Sequence, residues 1–191
     1  MSNTAGLKEI CARYQMVGRD INSGTDKDVS HAYIPIYERL LTHLVGKSPS
    51  VVEMGVASGK SLLMWEEYFQ NATILGIDII DPPAVIDGHP SITFRKANAG
   101  NAQALDEATT GMMFDVIIDD ASHLLDDQRV AFGAMFPKLK VGGYYFIEDV
   151  FGRAYARHKY DWATQVAGIT NLTSKRGIDH TLVIVRKDKL I

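Results

Sequence analysis

From residue 50 onward, short apolar runs alternate with stretches of helical periodicity, and nearly every run ends on or is followed by an acidic side chain. The runs are 51–54, 73–78, 92–94, 115–119 and 144–147. Between them lie helical segments over 60–69 with Leu62, Trp65 and Phe69 inward, over 101–108, and over 125–139 with Phe132, Met135, Phe136 and Leu139 on the buried face. Apolar strands that alternate with amphipathic helices specify a parallel sheet covered on both faces. The expected fold class is therefore α/β, a doubly wound, mostly parallel sheet. Ligands of such sheets bind beyond the carboxyl ends of the strands, and that is where Glu53, Asp78, Asp119-Asp120 and Glu148-Asp149 collect.

Upstream, Leu7, Ile10, Cys11 and Tyr14 are spaced for a helix over 7–19. A polar stretch, 22–28, reads as a loop. A second helix should carry Tyr33, Tyr37, Leu40, Leu41 and Leu44 and end near Gly46–Pro49. Downstream, a short helix around Trp162 and two strands, 169–173 and 181–186, close the chain. We find no internal repeat or linker, and 191 residues suit a single domain. Within it, residues 1–48 are expected to form a short N-terminal helical cap and 49–191 the ligand-binding core.

Composition removes several function classes. The 20 Lys+Arg against 23 Asp+Glu give a net charge of −3, with no basic run. Tight binding to nucleic acid or an anionic membrane needs clustered positive charge, so neither partner is expected. The lone Cys11 excludes an intrachain disulfide framework and a cysteine-built zinc site. No apolar run reaches the ~18–20 residues that span a bilayer, and Met1–Gly6 has no secretory pattern. The sequons at Asn71 and Asn171 then read as chance, and a cytoplasmic protein is expected. The aromatic content is compatible with a homo-oligomer without demanding one.

The loop Glu53-Met54-Gly55-Val56-Ala57-Ser58-Gly59-Lys60-Ser61 follows a strand and opens a helix. Three chemistries compete for it. A dinucleotide fingerprint needs a middle glycine that is absent here. A phosphate loop needs four residues between its glycines, and this loop has three, although Gly59-Lys60-Ser61 and the acidic run ending in Asp119-Asp120 resemble one. That reading leaves a P-loop-like nucleotide hydrolase as an alternative. The third ligand is S-adenosylmethionine (SAM), which carries no phosphate and accepts a wider loop. Asp78, at the end of the second strand, could then accept both ribose hydroxyls, with Glu53, Gly55, Ala57 and Ser61 on the loop side. Asp119 takes a structural or SAM-side role.

The acidic residues after the fourth and fifth strands supply a second signal. If those strands are neighbours, Asp120, Glu148 and Asp149 converge, and like charges at close range repel. A divalent cation resolves that conflict, and an oxygen-only donor set suits Mg²⁺ or Mn²⁺. A coordinated hydroxyl becomes far more acidic. His123, three residues after Asp120, could remove its proton as general base. Each carboxylate could instead be a helix cap or an ion-pair partner, and Asp126 and Asp127 read as a solvated helix face.

The chain resembles the metal-dependent O-methyltransferases of the macrocin and mycinamicin sugar-methylating type, with their cephalosporin-biosynthesis relatives. The resemblance is carried by Gly24-Thr25-Asp26-Lys27, His31-x-Tyr33, Glu53-Met54-Gly55, Gly76-Ile77-Asp78, Asp119-Asp120-x-Ser122-His123 and Gly142-Gly143-Tyr144-Tyr145-x-Ile147-Glu148-Asp149, and covers about residues 24–150. It implies a Rossmann-like class I methyltransferase with a SAM site on Glu53, Gly55 and Asp78. It also implies magnesium on Asp120, Glu148 and Asp149, with His123 as base toward a small-molecule hydroxyl of a sugar or diol. His31 and Tyr33 would lie over the methionine end of SAM or pack the N-terminal helix. Relatives carry a Gly-Asp-Gln-like turn after the third strand. Here Lys96-Ala97-Asn98-Ala99 stands there, and Asn98 would take the adenine contact. A non-catalytic SAM-binding subunit with a vestigial metal site is the remaining alternative.

Overall fold

Seven strands form one sheet in the order β3-β2-β1-β4-β5-β7-β6. They are β1 (Ser50–Met54), β2 (Thr73–Asp78), β3 (Ile92–Lys96), β4 (Phe114–Asp119), β5 (Leu139–Phe151), β6 (Val166–Thr173) and β7 (Asp179–Arg186). This computed structural model describes residues 5–17, 20, 22–28, 30–151, 166–173 and 179–188. The first five strands pair in parallel, and β7 runs antiparallel between β5 and β6.

Alternate residues of each strand feed two cores, which is why the strands read as nearly continuous apolar runs. Val51, Ile74, Val116, Ile118 and Phe146 face α1 (Leu7–Tyr14), α2 (Ile34–Leu41) and α3 (Lys60–Phe69). Val52, Leu75, Ile117, Tyr145 and Ile147 face α4 (Ala102–Ala108) and α5 (Leu125–Met135). The chain winds outward from β1 through β2 to β3, then returns to the far side of β1 for β4 and β5. The crevice at the carboxyl ends of β1 and β4 is thus the topological switch point.

Several boundaries differ from the periodicity. The first helix stops at Tyr14, because Gln15 turns extended and pairs with Thr25. The Met16 amide donates to the Thr25 carbonyl (3.0 Å), and the Thr25 amide donates to Tyr14 (2.8 Å). Gly24 makes this approach possible: a Cβ there would lie 2.3 Å from the Gln15 carbonyl carbon. The second α-helix ends at Leu41 and runs on as a short 3₁₀ turn, Thr42–Leu44. Helix α5 stops at Met135, where Pro137 has no amide to continue the ladder and a 3₁₀ turn follows. Leu139 then opens β5, far longer than the apolar run 144–147 suggested. The expected helix around Trp162 lies outside the described residues.

Candidate active site

The loop after β1 is shaped by one glycine. Gly55 has φ +87°, and a Cβ on it would sit 2.0 Å from the Asp120 carbonyl oxygen. Only a residue without a side chain lets the β1 and β4 ends approach so closely. The Asp120 amide donates to the Met54 carbonyl (2.9 Å) and locks this approach, while the Gly55 amide donates to Ile77 (2.9 Å) and ties the end of β1 to β2. Beyond the joined strand ends lies a cavity of about 320 Å³. Its walls are the loop Gly55–Ser58 with Ser61, the end of β2 with Asp78, the turn 97–100, the segment Asp120–His123 with Asp149, and Met16 with Gly24–Asp26.

Of the residues expected around a cofactor, Gly55, Ala57, Ser61, Asp78 and Asn98 line this cavity. Asp78 does more than face it. Its Oδ2 accepts the amides of Val56 (2.7 Å) and Ala57 (3.1 Å), and its Oδ1 accepts that of Ile79 (2.6 Å), so the carboxylate holds the glycine loop in shape. Asn98 accepts the Gly100 amide (2.8 Å) and fixes the turn after β3. Lys60 is not among the lining residues, so the loop does not aim a cation into the cavity as a phosphate loop would.

Glu53, Asp119, His31 and Tyr33 are placed differently from the cofactor contacts expected of them, and none lines the cavity. Strand alternation explains the first two. Glu53 shares a face with Val51 and is buried against α3, where its Oε2 accepts the Trp65 indole N–H (2.8 Å). Asp119 lies on the other face, and burial pushes its carboxyl up to about 7. His31 and Tyr33 stand behind Asp149. Tyr33 donates to Asp149 Oδ1 (2.8 Å), His31 Nδ1 lies 3.5 Å from the same oxygen, and the two rings stack at 4.9 Å. The other nitrogen of His31 meets Asp26 Oδ2 at 3.0 Å. Burial raises the Asp26 carboxyl, but that bond together with the charges of His31 and Lys27 outweighs it and draws the group below its ordinary value.

Asp120, Glu148 and Asp149 do gather at the carboxyl ends of β4 and β5, but Asp120 and Glu148 meet a lysine there. Lys27 is 1% exposed, and its ammonium lies 2.7 Å from Glu148 Oε1, 2.8 Å from Asp120 Oδ2 and 3.3 Å from Glu53 Oε1. Burial disfavours its charge, yet the surrounding carboxylates win and keep it protonated. Glu148 also accepts the Tyr37 hydroxyl (2.5 Å) and is 1% exposed. In place of the expected Asp120–Glu148–Asp149 donor set, the atoms that come together belong to Asp120, His123 and Asp149, all within 4.8 Å of one another. A bulge explains why adjacent carboxylates separate. The β5–β7 register shifts between Ile147 and Val150, and Asp149 takes φ +54°.

His123 sits between the cavity-side carboxylates, with Nε2 3.2 Å from Asp120 Oδ1 and Nδ1 3.8 Å from Asp149 Oδ2. Its hydrogen bond to Asp120, opposed by burial, raises its pKa to about 9. Burial raises the Asp120 carboxyl too, but Lys27 and His123 outweigh it and hold that group at about 2. Burial pushes Glu53 and Glu148 upward, since one ammonium cannot compensate every carboxylate around it. Among the described residues, four non-glycine positions have positive φ: Ala57, Gln70, His123 and Asp149. Three of these line the cavity, and backbone strain of this kind gathers at functional sites. Asp127, expected to be solvated, instead accepts the Ser122 hydroxyl (2.7 Å) beside His123.

Sequence reasoning missed Lys27, Tyr37 and Asp26. Lys27 lies between two aspartates in a segment that reads as a solvated loop, and its one sequence signal is its place in Gly24-Thr25-Asp26-Lys27.

No family model matches the chain. Over 143 residues it is 31% identical to the 8-demethyl-8-α-L-rhamnosyl tetracenomycin-C 2′-O-methyltransferase of Streptomyces olivaceus, covering 71% of this chain and 37% of that protein. It is 34% identical over 134 residues to the L-olivosyl-oleandolide 3-O-methyltransferase of Streptomyces antibioticus, covering 63% of this chain and 33% of that one. The chain thus spans about a third of the length of the curated relatives it matches. Among solved structures, the MycE methyltransferase of the mycinamicin pathway, in complex with Mg, SAH and mycinamicin VI, superposes with a TM-score of 0.76 at 22% identity. That match covers 98% of this chain and 55% of MycE. The chain is a single α/β domain with the class I methyltransferase fold, related in sequence to the sugar O-methyltransferases.

Proposed function

We propose that this protein transfers the methyl group of SAM to a hydroxyl of a sugar-bearing small molecule, with the help of a divalent cation such as Mg²⁺. One observation carries the reading: the cavity bounded by the glycine loop, Asp78 and Asn98 is the same cavity into which Asp120, His123 and Asp149 project. Donor site and hydroxyl-activating groups therefore share one space. Relatives that methylate rhamnosyl and olivosyl groups support a deoxysugar hydroxyl as acceptor.

The residues present fit a hard cation. Asp120 and Asp149 offer oxygens within 4.8 Å of each other. Three carboxylates, Glu53, Asp120 and Glu148, share a single ammonium while Asp149 lines the cavity, so carboxylates outnumber the buried ammonium. Asp120 and Asp149 would hold the ion, with Glu148 fixed behind them by Lys27 and Tyr37. When bound, the cation supplies Lewis-acid activation of the acceptor hydroxyl.

The chain's own groups do the rest. The glycine loop and the turn 97–100 seat the donor, and the apolar walls of the cavity exclude water. His123, oriented by Asp120, acts from its neutral form, which gains population as pH rises toward about 9. It takes the hydroxyl proton on an imidazole nitrogen as the oxygen attacks the methyl carbon and the methyl–sulfur bond breaks to release S-adenosylhomocysteine. Asp120 acts both as cation ligand and as the partner that orients this base. Residues before 49 act as a cap, with Met16 and Gly24–Asp26 closing one wall. No helix among the described residues is long and apolar enough to cross a membrane.

The test is methyl transfer from radiolabelled SAM to rhamnosyl and olivosyl glycosides, in magnesium and in EDTA, with calorimetry of S-adenosylhomocysteine (SAH) binding alongside. We expect SAH binding, and transfer that EDTA abolishes. Binding of ATP without SAH would contradict the reading and favour a nucleotide hydrolase. SAH binding with cation-independent transfer would contradict the role given to the cation, and SAH binding with no transfer to any glycoside would favour a binding subunit.

A further inference from the structure

Among the described residues Lys27 is the most buried cation, and the mechanism above uses it only to fix Glu148. Lys27 is 1% exposed, and three carboxylates from three strand ends surround it: Glu53 of β1, Asp120 after β4 and Glu148 of β5. Each of these also has a second partner that fixes its direction. Glu53 accepts from the Trp65 indole, Glu148 from the Tyr37 hydroxyl, and Asp120 meets His123 through its other oxygen. The segment that carries Lys27 is clamped by the Gln15–Thr25 bridge and by Gly24, where a Cβ would meet the Gln15 backbone at 2.3 Å. The amide of Tyr33 donates to the Lys27 carbonyl (3.1 Å), tying the same residue to the start of α2.

We propose that Lys27 is a positioning residue, a resident cation that takes one oxygen of Asp120 and one of Glu148 on the inner side of the cluster. The outer oxygen of Asp120 is thereby aimed at His123 and the divalent-ion position before any ion binds. The inference rests on the metal-dependent reading above. It goes further by assigning the inner half of the carboxylate cluster to a side chain and only the outer half to an exchangeable ion. Geometry supports this division. The Lys27 ammonium contacts Asp120 Oδ2, whereas His123 contacts Oδ1 of the same carboxylate, so the two cationic partners address opposite oxygens. Lys27 does not line the cavity, so it orients the site without touching the donor or acceptor that the cavity would hold.

A merely structural lysine and a resident cation respond differently to added metal. In the resident-cation case, losing the ammonium leaves carboxylates that a divalent ion can partly compensate, and folding becomes dependent on that ion. The experiment compares thermal unfolding of the full chain and its Lys27→Met, Lys27→Arg and Lys27→Met/Glu53→Gln variants, each in EDTA and in magnesium, with magnesium affinity measured by calorimetry. We expect Lys27→Met to unfold about 10 °C lower in EDTA and to recover a larger part of that loss in magnesium than the parent chain gains. Lys27→Arg should stay near the parent, and the double variant should be more stable than Lys27→Met in EDTA, because it removes one carboxylate left without its counter-ion. Equal magnesium responses in Lys27→Met and the parent, or a double variant no more stable than the single one (including the case where neither folds), overturn the proposal. A parent chain that binds no magnesium overturns the metal-dependent reading instead, while the comparison of single and double variants in EDTA still decides whether Lys27 acts as the counter-ion.

Discussion

At the scale of single residues, His123 is the group whose loss should separate chemistry from binding. It is 40% exposed in its side chain, projects into the cavity and contacts two carboxylates, so truncating it leaves no buried group without a partner. His123→Ala should therefore keep SAH affinity and thermal stability close to the parent values while lowering kcat by about 10²–10⁴, the usual range for a lost general base. Steady-state kinetics paired with SAH calorimetry checks this, and an unchanged kcat would remove His123 from the mechanism. Asp149 is different in kind. Its carboxylate is bonded to Tyr33 and its backbone is held at φ +54°, so its neighbours and the bulge set its direction more than its own rotamer does.

Secondary-structure elements position these groups through their ends rather than their lengths. The junction of β1 and α3 depends on Gly55, where both the left-handed φ and the 2.0 Å approach to the Asp120 carbonyl exclude a side chain. Gly55→Ala should cost more than about 2 kcal/mol of stability and should weaken SAH binding, because it pushes the β1 and β4 ends apart. Urea unfolding with SAH calorimetry reads both effects, and a variant that matches the parent in both would show that the junction tolerates separation. This junction was legible in the sequence, since a glycine loop between an apolar run and a helical period marks a strand–helix turn at a ligand crevice. The strands β1 to β4 were legible for the same reason: buried parallel strands leave an apolar signature with few exceptions. Two things were not. The end of the first helix at Tyr14 is set by a bridge from Gln15 to Thr25, ten residues on, and local periodicity does not register a contact of that range. Lys27 was hidden because a buried lysine looks like a solvated one until the three carboxylates around it, from distant parts of the chain, are in place. Glu53 and Asp119 miss the cavity for a simpler reason: strand alternation turns each of them into a sheet face, Glu53 against α3 and Asp119 to the opposite side, where both are buried.

For the molecule as a whole, the doubly wound order places the β1, β2 and β3 ends on one side of the switch point and β4 and β5 on the other. The glycine loop, Asp78 and Asn98 come from the first group, and Asp120, His123 and Asp149 come from the second or from the loop that follows it. A fold of this order makes the donor half and the activating half of the site separate in sequence and adjacent in space. That adjacency is the central claim, and paramagnetic relaxation measures it directly. With Mn²⁺ in place of Mg²⁺ and SAM labelled with ¹³C on its methyl group, the methyl resonance should relax strongly when both are bound. Asp149→Asn should diminish that effect while SAM affinity holds. A methyl resonance unaffected by Mn²⁺, in protein shown to bind both ligands at once, would contradict the shared cavity.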